Sequence, residues 1–463
     1  MNGRDWALEQ LLAAKLPGWD DLESPGFKGP IDPRDTALGN AIAATVTQNL
    51  LLIRHLIKHY SGRELQTIEP MIQLVVAIGL AQLRFFTRVP PSAAVDQAVE
   101  QIRRVGLARA AGFVNAILRR ATREPTPPLP GEDNPQQFAH IVLSHPPHVY
   151  KKLAHLYGPA RAIELCRMHN AEPPTILRLI NDATVEQLIA RVEKRSDPSR
   201  PIHAGAGAPD LGLPPRREAH ENDASHETPA RGLRFISHEV PGLVVVQNAV
   251  EHDFATWANA GLAQVQDPTA AKVIQHVDAF EGARILDRCC GVGTKTLQLA
   301  ERVGLSGEVV ATDPAKERIS RLATSARHRK LPQVKPVVAG MMADLGEEQL
   351  FDRVLIDAPC SNSGVLARRL EARYHQDART LHSLRDLQRR IIADTLPAVR
   401  PGGLLIYSTC SIWPEENGDQ VAWIIKQNES FEVADVQSTA PSTDPNPANY
   451  HDGGYIAVLR RKA

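Results

Sequence analysis

The sequence predicts a multidomain chain: an all-α bundle at the N-terminus, a small α+β region in the middle, and a C-terminal α/β domain on a parallel sheet. Three observations carry this. Apolar residues recur at helical spacing through the first 125 residues or so. A proline-rich stretch, EPTPPLPGEDNPQ at 124–136, then breaks the pattern. From about residue 254, short apolar strands alternate with helices, as in a parallel sheet covered on both faces.

In the first region, Asp32-Pro33 reads as a helix start, with an acid at the N-cap and proline in the first turn. Leu38, Ile42, Val46, Ile53 and Leu56/Ile57 follow on one face. A second apolar helix is expected over 67–86 and ends before Pro90-Pro91. Ser92 is expected to cap the next helix, whose inner face carries Val95, Ala98, Val99 and Ile102. The segment 107–122 is helical again and leads into Arg119, Arg120 and Arg123. These elements give a helical domain over 1–125 and a linker over 126–143.

The middle domain, 144–253, mixes helix-like stretches (147–169, 184–194) with β-like runs (175–180, 242–247). Within it, 195–232 is rich in Pro, Ala, Gly, His and charge, and reads as a mobile insertion. The last domain, 254–463, has strands at 283–287, 307–313, 334–340, 351–357 and 402–408, with a long helix at 379–398 before the last of these.

Composition excludes some classes of protein. Lys+Arg and Asp+Glu both number 53, so nucleic-acid binding would rest on local basic clusters rather than on net charge. The five cysteines, Cys166, Cys289, Cys290, Cys360 and Cys410, are odd in number and form no Cys-x-x-Cys pair. That argues against a disulfide scaffold and a zinc ribbon, and no metal is expected. The N-terminus has no signal-peptide layout and no apolar run is long enough to span a bilayer. A cytoplasmic monomer with no membrane contact is the expectation.

In open α/β sheets, ligands bind beyond the carboxyl ends of the strands. The first strand is followed by DRCCGVGTKT (287–296), where small residues let a ligand approach the backbone and a helix N-terminus follows. The second ends in Asp313, placed either to grip a ribose or to cap the helix after Pro314. The fourth and fifth lead into DAPCSNSG (357–364) and YSTCSIWPEEN (407–417), each with a cysteine at the strand end. A thiolate is a strong nucleophile near neutral pH. Two such cysteines beside Asp357 suit methylation of cytosine at carbon 5. A thiolate adds to carbon 6, carbon 5 becomes nucleophilic, and an acid faces the exocyclic amine and ring nitrogen.

These motifs, with VQDPTA (265–270), resemble the NOL1/NOP2/Sun family of RNA cytosine-5 methyltransferases. The N-terminal part is similar to the NusB-like RNA-binding domain through VAIGLAQLRFFTRVPPSAAVDQAVE (76–100) and GFVNAILRRATRE (112–124). With SHPPHVYKKLAHLYG (144–158) and NAEPPTILRLIN (170–181), this is the layout of the bacterial RsmB (Sun/Fmu) group of that family. The resemblance implies a Rossmann-like C-terminal domain, S-adenosylmethionine as cofactor and small-subunit ribosomal RNA (16S rRNA) as substrate. It implies Cys410 as the attacking nucleophile, Cys360 in product release, and Asp357 against the cytosine and cofactor. It further implies Asp313 on the ribose, with Cys289, Cys290, Gly291, Val292, Gly293, Thr294 and Lys295 cradling the methionine end.

The sequence departs from the family pattern in three places. The turn usually reads Cys-Ala-Ala-Pro-Gly-Gly-Lys-Thr; here it is Cys289-Cys290-Gly291-Val292-Gly293-Thr294-Lys295-Thr296. Met341 stands where an acid follows the third strand, with Asp344 as the candidate substitute, and RRLEARYHQD (368–377) replaces a His/Asn-Pro-Asp stretch. Candidate phosphate contacts are Arg103/Arg104, Arg119/Arg120/Arg123, Lys151/Lys152, Arg327/Arg329/Lys330 and Arg368/Arg369/Arg373. Two rival readings stand beside the main one: an RNA-binding or ribosome-assembly protein that keeps the scaffold with little catalysis, and the same reaction on transfer RNA.

Overall fold

The computed structural model describes residues 1–193, 225–227, 232–249, 251–346 and 350–463, so most of the 195–232 insertion lies outside the described residues. Two compact units emerge. One takes in Met1–Glu172 with Leu366–Asp377; the other takes in the described parts of 173–365 with Ala378–Ala463.

The first unit is helical. Asp32 caps Pro33–Gln48, its carboxylate accepting the Arg34 amide at 2.7 Å. Leu50–Ser61 ends at Gly62, in the left-handed region at φ 67°. Pro70–Phe85 runs through the core of Ile42, Val46, Ile53, Ile78, Leu80 and Leu118. A side chain at Gly79 would press to 2.7 Å from a Leu118 methyl, so the two helices pack closely there. Ser92 does not cap the next helix: Pro91–Arg104 starts one residue earlier, with no side-chain cap bond. Proline suits the first helical position, since its missing N–H is one of the donors a helix start leaves unpaired and its φ is already helical. The helix expected over 147–169 is two, Pro147–Tyr157 and Pro159–Asn170, broken at Gly158 (φ 82°).

The polar-looking stretch 366–377 packs into this helical unit. Tyr374 donates to the Thr47 carbonyl at 2.8 Å, and fully buried Arg373 donates to Asn170 Oδ1 at 2.6 Å and the His169 carbonyl at 3.0 Å.

The second unit has two sheets. The smaller comprises β1 (Thr175–Leu179), β2 (Ser225–Glu227), β3 (Arg234–Ser237), β4 (Leu243–Gln247) and β5 (Ala263–Val265), in the order β2-β3-β4-β1-β5. Its core is formed by Phe235, Val244, Val246, Leu177 and Trp257, whose indole donates to the Leu188 carbonyl at 2.9 Å.

The larger sheet comprises β6 (Arg284–Asp287), β7 (Glu308–Asp313), β8 (Val334–Val338), β9 (Phe351–Asp357), β10 (Val399–Thr409), β11 (Phe431–Thr439) and β12 (Gly454–Arg461). The order is β11-β12-β10-β9-β6-β7-β8; β8 through β10 run parallel and β12 antiparallel to β10. Alternate residues enter opposite cores: Ile285, Val309, Leu355 and Ile406 on one face, Leu286, Val310, Ile356 and Tyr407 on the other. This double burial is why the strands read as continuous apolar runs. Pro336 falls on edge strand β8, where a missing N–H is tolerated. The architecture is the expected Rossmann-like one, with the strand order reversing between β6 and β9. Among the described residues no single helix is long and apolar enough to cross a membrane.

Candidate functional site

β9 and β10 are parallel neighbours with Asp357 level with Ser408. Their carboxyl ends therefore deliver Asp357, Cys360 and Cys410 to one place. The Ala358 amide continues the ladder to the Ser408 carbonyl at 2.8 Å, and the chain then turns so that Cys360 Sγ lies 3.3 Å from Cys410 Sγ. Cys410 Sγ also donates to Asn362 Oδ1 at 3.2 Å, with Asn362 itself in the left-handed region at φ 59°.

Both oxygens of Asp357 are engaged. Lys295 Nζ lies 2.6 Å from one and Ser408 Oγ donates to the other at 2.8 Å. Burial opposes the charge on Lys295, but the Asp357 carboxylate, with Asp287 and Cys410 near, outweighs it and holds the ammonium above its usual value. The Cys360 thiol is pushed well above the usual thiol range by its bond to Cys410, by burial, and by the charges of Cys410 and Glu416.

The turn after β6 is shaped for a ligand. Gly291 has φ 56° with open space where a side chain would project, and Gly293 has φ 92° with Leu322 2.2 Å from a would-be Cβ. The helix Thr294–Val303 that follows has no side-chain cap, so its first N–H groups face the turn. Asp287, ending β6, accepts from Thr296 Oγ1 at 2.7 Å, while its other oxygen is buried without a partner. Burial raises its carboxyl to about 6. Asp313 accepts the Gly291 amide at 3.2 Å and the Ala315 amide at 2.8 Å. It thus braces the glycine turn and at the same time turns its own backbone ahead of the helix Lys316–His328. These free donors, the orphaned acceptor and the glycine cradle fit a ligand with an amino-acid end and a ribose. Burial pushes the Cys289 thiol up to about 12 and the Cys290 thiol higher still, so neither is a ready nucleophile.

Met341 is exposed, and Asp344 caps the turn around it by accepting the Gly340 and Met341 amides, each at 2.8 Å. Buried Arg288 ties this loop down through Asp394 at 3.0 Å. In the other unit, Arg119, Arg120 and Arg123 are exposed; Arg120 pairs with Glu124 at 2.7 Å. Arg369 is exposed and Arg368 half-buried. Two other candidates for phosphate contact are not available: Arg373 is fully buried, and Arg329 is largely buried in an ion pair with Glu301. Asp287, Asn362, Ser408 and Glu416 join the site without having been singled out from the sequence. Asp287 closes the first strand before the glycine turn, and the other three lie inside the two motifs that carry the cysteines.

A glycine turn and a strand-end acid beneath a seven-stranded sheet of this order define an S-adenosylmethionine-dependent methyltransferase. Residues 274–460 match the family described as 16S rRNA methyltransferase RsmB/F, and residues 13–123 match the NusB family. The chain carries both matches, the NusB one at its N-terminus and the RsmB/F methyltransferase one in its C-terminal domain. It is 26% identical over 434 residues to a probable ribosomal RNA small subunit methyltransferase B of Bacillus subtilis, covering 93% of this chain and 89% of that protein. It is 26% identical over 446 residues to ribosomal RNA small subunit methyltransferase B of Yersinia pestis, covering 94% and 93%. Among solved structures, PH0851 superposes with a TM-score of 0.73 at 20% identity, covering 99% of this chain and 98% of that one. A methyltransferase homologue from Pyrococcus horikoshii gives 0.53 at 19% identity, covering 71% and 99%. At these identities the two structures bear on the fold alone.

Proposed function

We propose that the chain is an RNA cytosine-5 methyltransferase acting on small-subunit (16S) ribosomal RNA through a covalent cysteine–cytosine adduct. The observation that carries this is the pair of thiols 3.3 Å apart at neighbouring strand ends, beside Asp357 and Lys295. Ribosomal RNA is taken as substrate from the names of the relatives. In this reading 1–125 serves RNA binding, 126–143 links, 144–253 is the middle domain and 254–463 carries the chemistry.

Residues 289–295 would hold the methionine end of the cofactor, Asp313 the ribose, and Asp344 the outer rim. When bound, S-adenosylmethionine supplies an electrophilic methyl group that carbon 5 of the activated ring accepts. The target base must first leave any stack. Cys410 passes its proton to solvent and its sulfur bonds to carbon 6, moving the ring π electrons to carbon 5. Asp357, held by Lys295 and Ser408, faces the amine and ring nitrogen and favours the charge developing there. After transfer, solvent water takes the proton from carbon 5, its electron pair re-forms the carbon 5–carbon 6 double bond, the carbon–sulfur bond breaks, and Cys410 leaves as thiolate. Cys360 assists this release from 3.3 Å away. Arg119, Arg120, Arg123, Arg368 and Arg369 contact phosphates.

The test is adduct trapping. Cys360→Ala with unmodified rRNA should accumulate a protein–RNA species that survives denaturing electrophoresis, and adding Cys410→Ala should abolish it. An adduct that persists without Cys410 would overturn the assignment. The scaffold-only reading is favoured by exposed Met341 in place of the acid and by the capping use of Asp344; a folded protein that binds no S-adenosylmethionine would support it.

A further inference from the structure

Behind the two thiols lies a carboxylate that the chemistry above does not use. Glu416 sits in the short turn Pro414–Glu416 and is fully buried. One of its oxygens accepts the Ser361 amide at 2.9 Å and Gln388 Nε2 at 3.1 Å. The other accepts the Ser361 and Ser411 hydroxyls, both at 2.5 Å. Ser361 follows Cys360 and Ser411 follows Cys410, so one carboxylate grips the residue after each cysteine. A buried carboxylate is costly unless its lone pairs are filled, and this one has four donors. The neighbouring side chain, Asn417, adds a second tie, accepting from Thr409 Oγ1 at 2.6 Å and donating to the Ser411 carbonyl at 2.9 Å.

The charges around the thiols are unequal. Cys360 is faced by Cys410, Glu416 and Tyr407, none of them cationic. Cys410 is faced by Lys295 as well. Glu416 reaches the residue after each cysteine, whereas the Lys295 ammonium, paired with Asp357, acts on Cys410.

We propose that Glu416 is a positioning residue of the covalent chemistry: through Ser361 and Ser411 it fixes the spacing of Cys360 and Cys410, and its charge keeps Cys360 a thiol so that Cys410 is the group that attacks. This rests on the proposed function for its catalytic meaning. The elevated titration of Cys360 agrees with it.

The experiment uses the full chain with Glu416→Gln and Glu416→Ala. Glutamine keeps the volume and one acceptor but removes the charge; alanine removes both. Cys360 alkylation by iodoacetamide, followed against pH in a Cys410→Ser background, should shift to lower pH by about one unit with Glu416→Gln. With Cys410 intact, kcat should fall roughly 10- to 100-fold for glutamine and further for alanine, with the KM for RNA and S-adenosylhomocysteine affinity held within about threefold. An unmoved alkylation profile together with unchanged kcat would overturn the proposal. Should Glu416→Gln not fold, Ser361→Ala removes one arm and leaves the carboxylate; the same fall in kcat at constant KM is expected, and an unchanged kcat overturns the clamp. Alkylation needs no RNA, so failure of methylation on every RNA would sink the proposed function while this profile still judges Glu416.

Discussion

Lys295 Nζ lies 2.6 Å from Asp357 Oδ2, joining the helix that starts at the glycine turn to the strand that carries the first cysteine loop. Lys295→Met should cut kcat by about 10²-fold or more, because it leaves a part-buried carboxylate without its cation beside the reacting base. The pH dependence has a definite sign. The folded pKa of Lys295 lies above its ordinary value, so the pair's stabilisation is fully present below the unfolded lysine value and is lost as pH rises through the folded one. Thermal denaturation of wild type and Lys295→Met should differ by a constant amount through neutral pH and converge only above about pH 10.

Asp287 carries the opposite sign. Burial raises its carboxyl to about 6 from 3.8, so the folded state holds the proton more tightly than the unfolded chain. Stability falls as pH rises through that window and stays lower above it. Asp287→Asn should therefore be more stable than wild type by about 2–3 kcal/mol at pH 7, with the two converging below about pH 4. Calorimetry should also find weaker S-adenosylhomocysteine binding, since the unpartnered oxygen is lost to the ligand.

Gly293→Ala tests the cradle directly. Its φ of 92° and the 2.2 Å approach of Leu322 make any side chain both strained and crowded. A loss of about 1–3 kcal/mol in denaturant unfolding is expected, with weakened cofactor binding. An unchanged midpoint and affinity would show that the turn is looser than described.

Neutralising Arg119, Arg120, Arg123 and Arg369 together should weaken RNA binding alike across sequences. It should also flatten the slope of log K against log salt by about 0.7–0.9 for each phosphate that is no longer neutralised. These side chains are exposed, so the melting temperature should hardly change. Equal salt slopes for variant and wild type would remove these arginines from the RNA interface.

The legible parts of the sequence were those where one local pattern decides structure. Ile285/Leu286 and Val309/Val310 feed opposite cores, and that double burial made the strands visible as apolar runs. Cys360 and Cys410 were readable because a cysteine just past a strand end is positioned by the strand itself. The 3.3 Å between them was not, because it depends on Ser361 and Ser411 meeting Glu416. Arg373 and Tyr374 were hidden for a similar reason: a polar string like RRLEARYHQD looks like a solvated loop, yet both side chains find carbonyl acceptors inside the helical unit. Arg329 looked free until Glu301 faced it.

The most direct test of the whole account supplies the purified protein with S-adenosylmethionine carrying a labelled methyl and with unmodified small-subunit rRNA or tRNA, and counts labelled 5-methylcytidine after digestion. Label in the rRNA that disappears with Cys410→Ala, with little label in the tRNA, is the expected result. Label retained by Cys410→Ala, or label found in a nucleoside other than 5-methylcytidine, would contradict it.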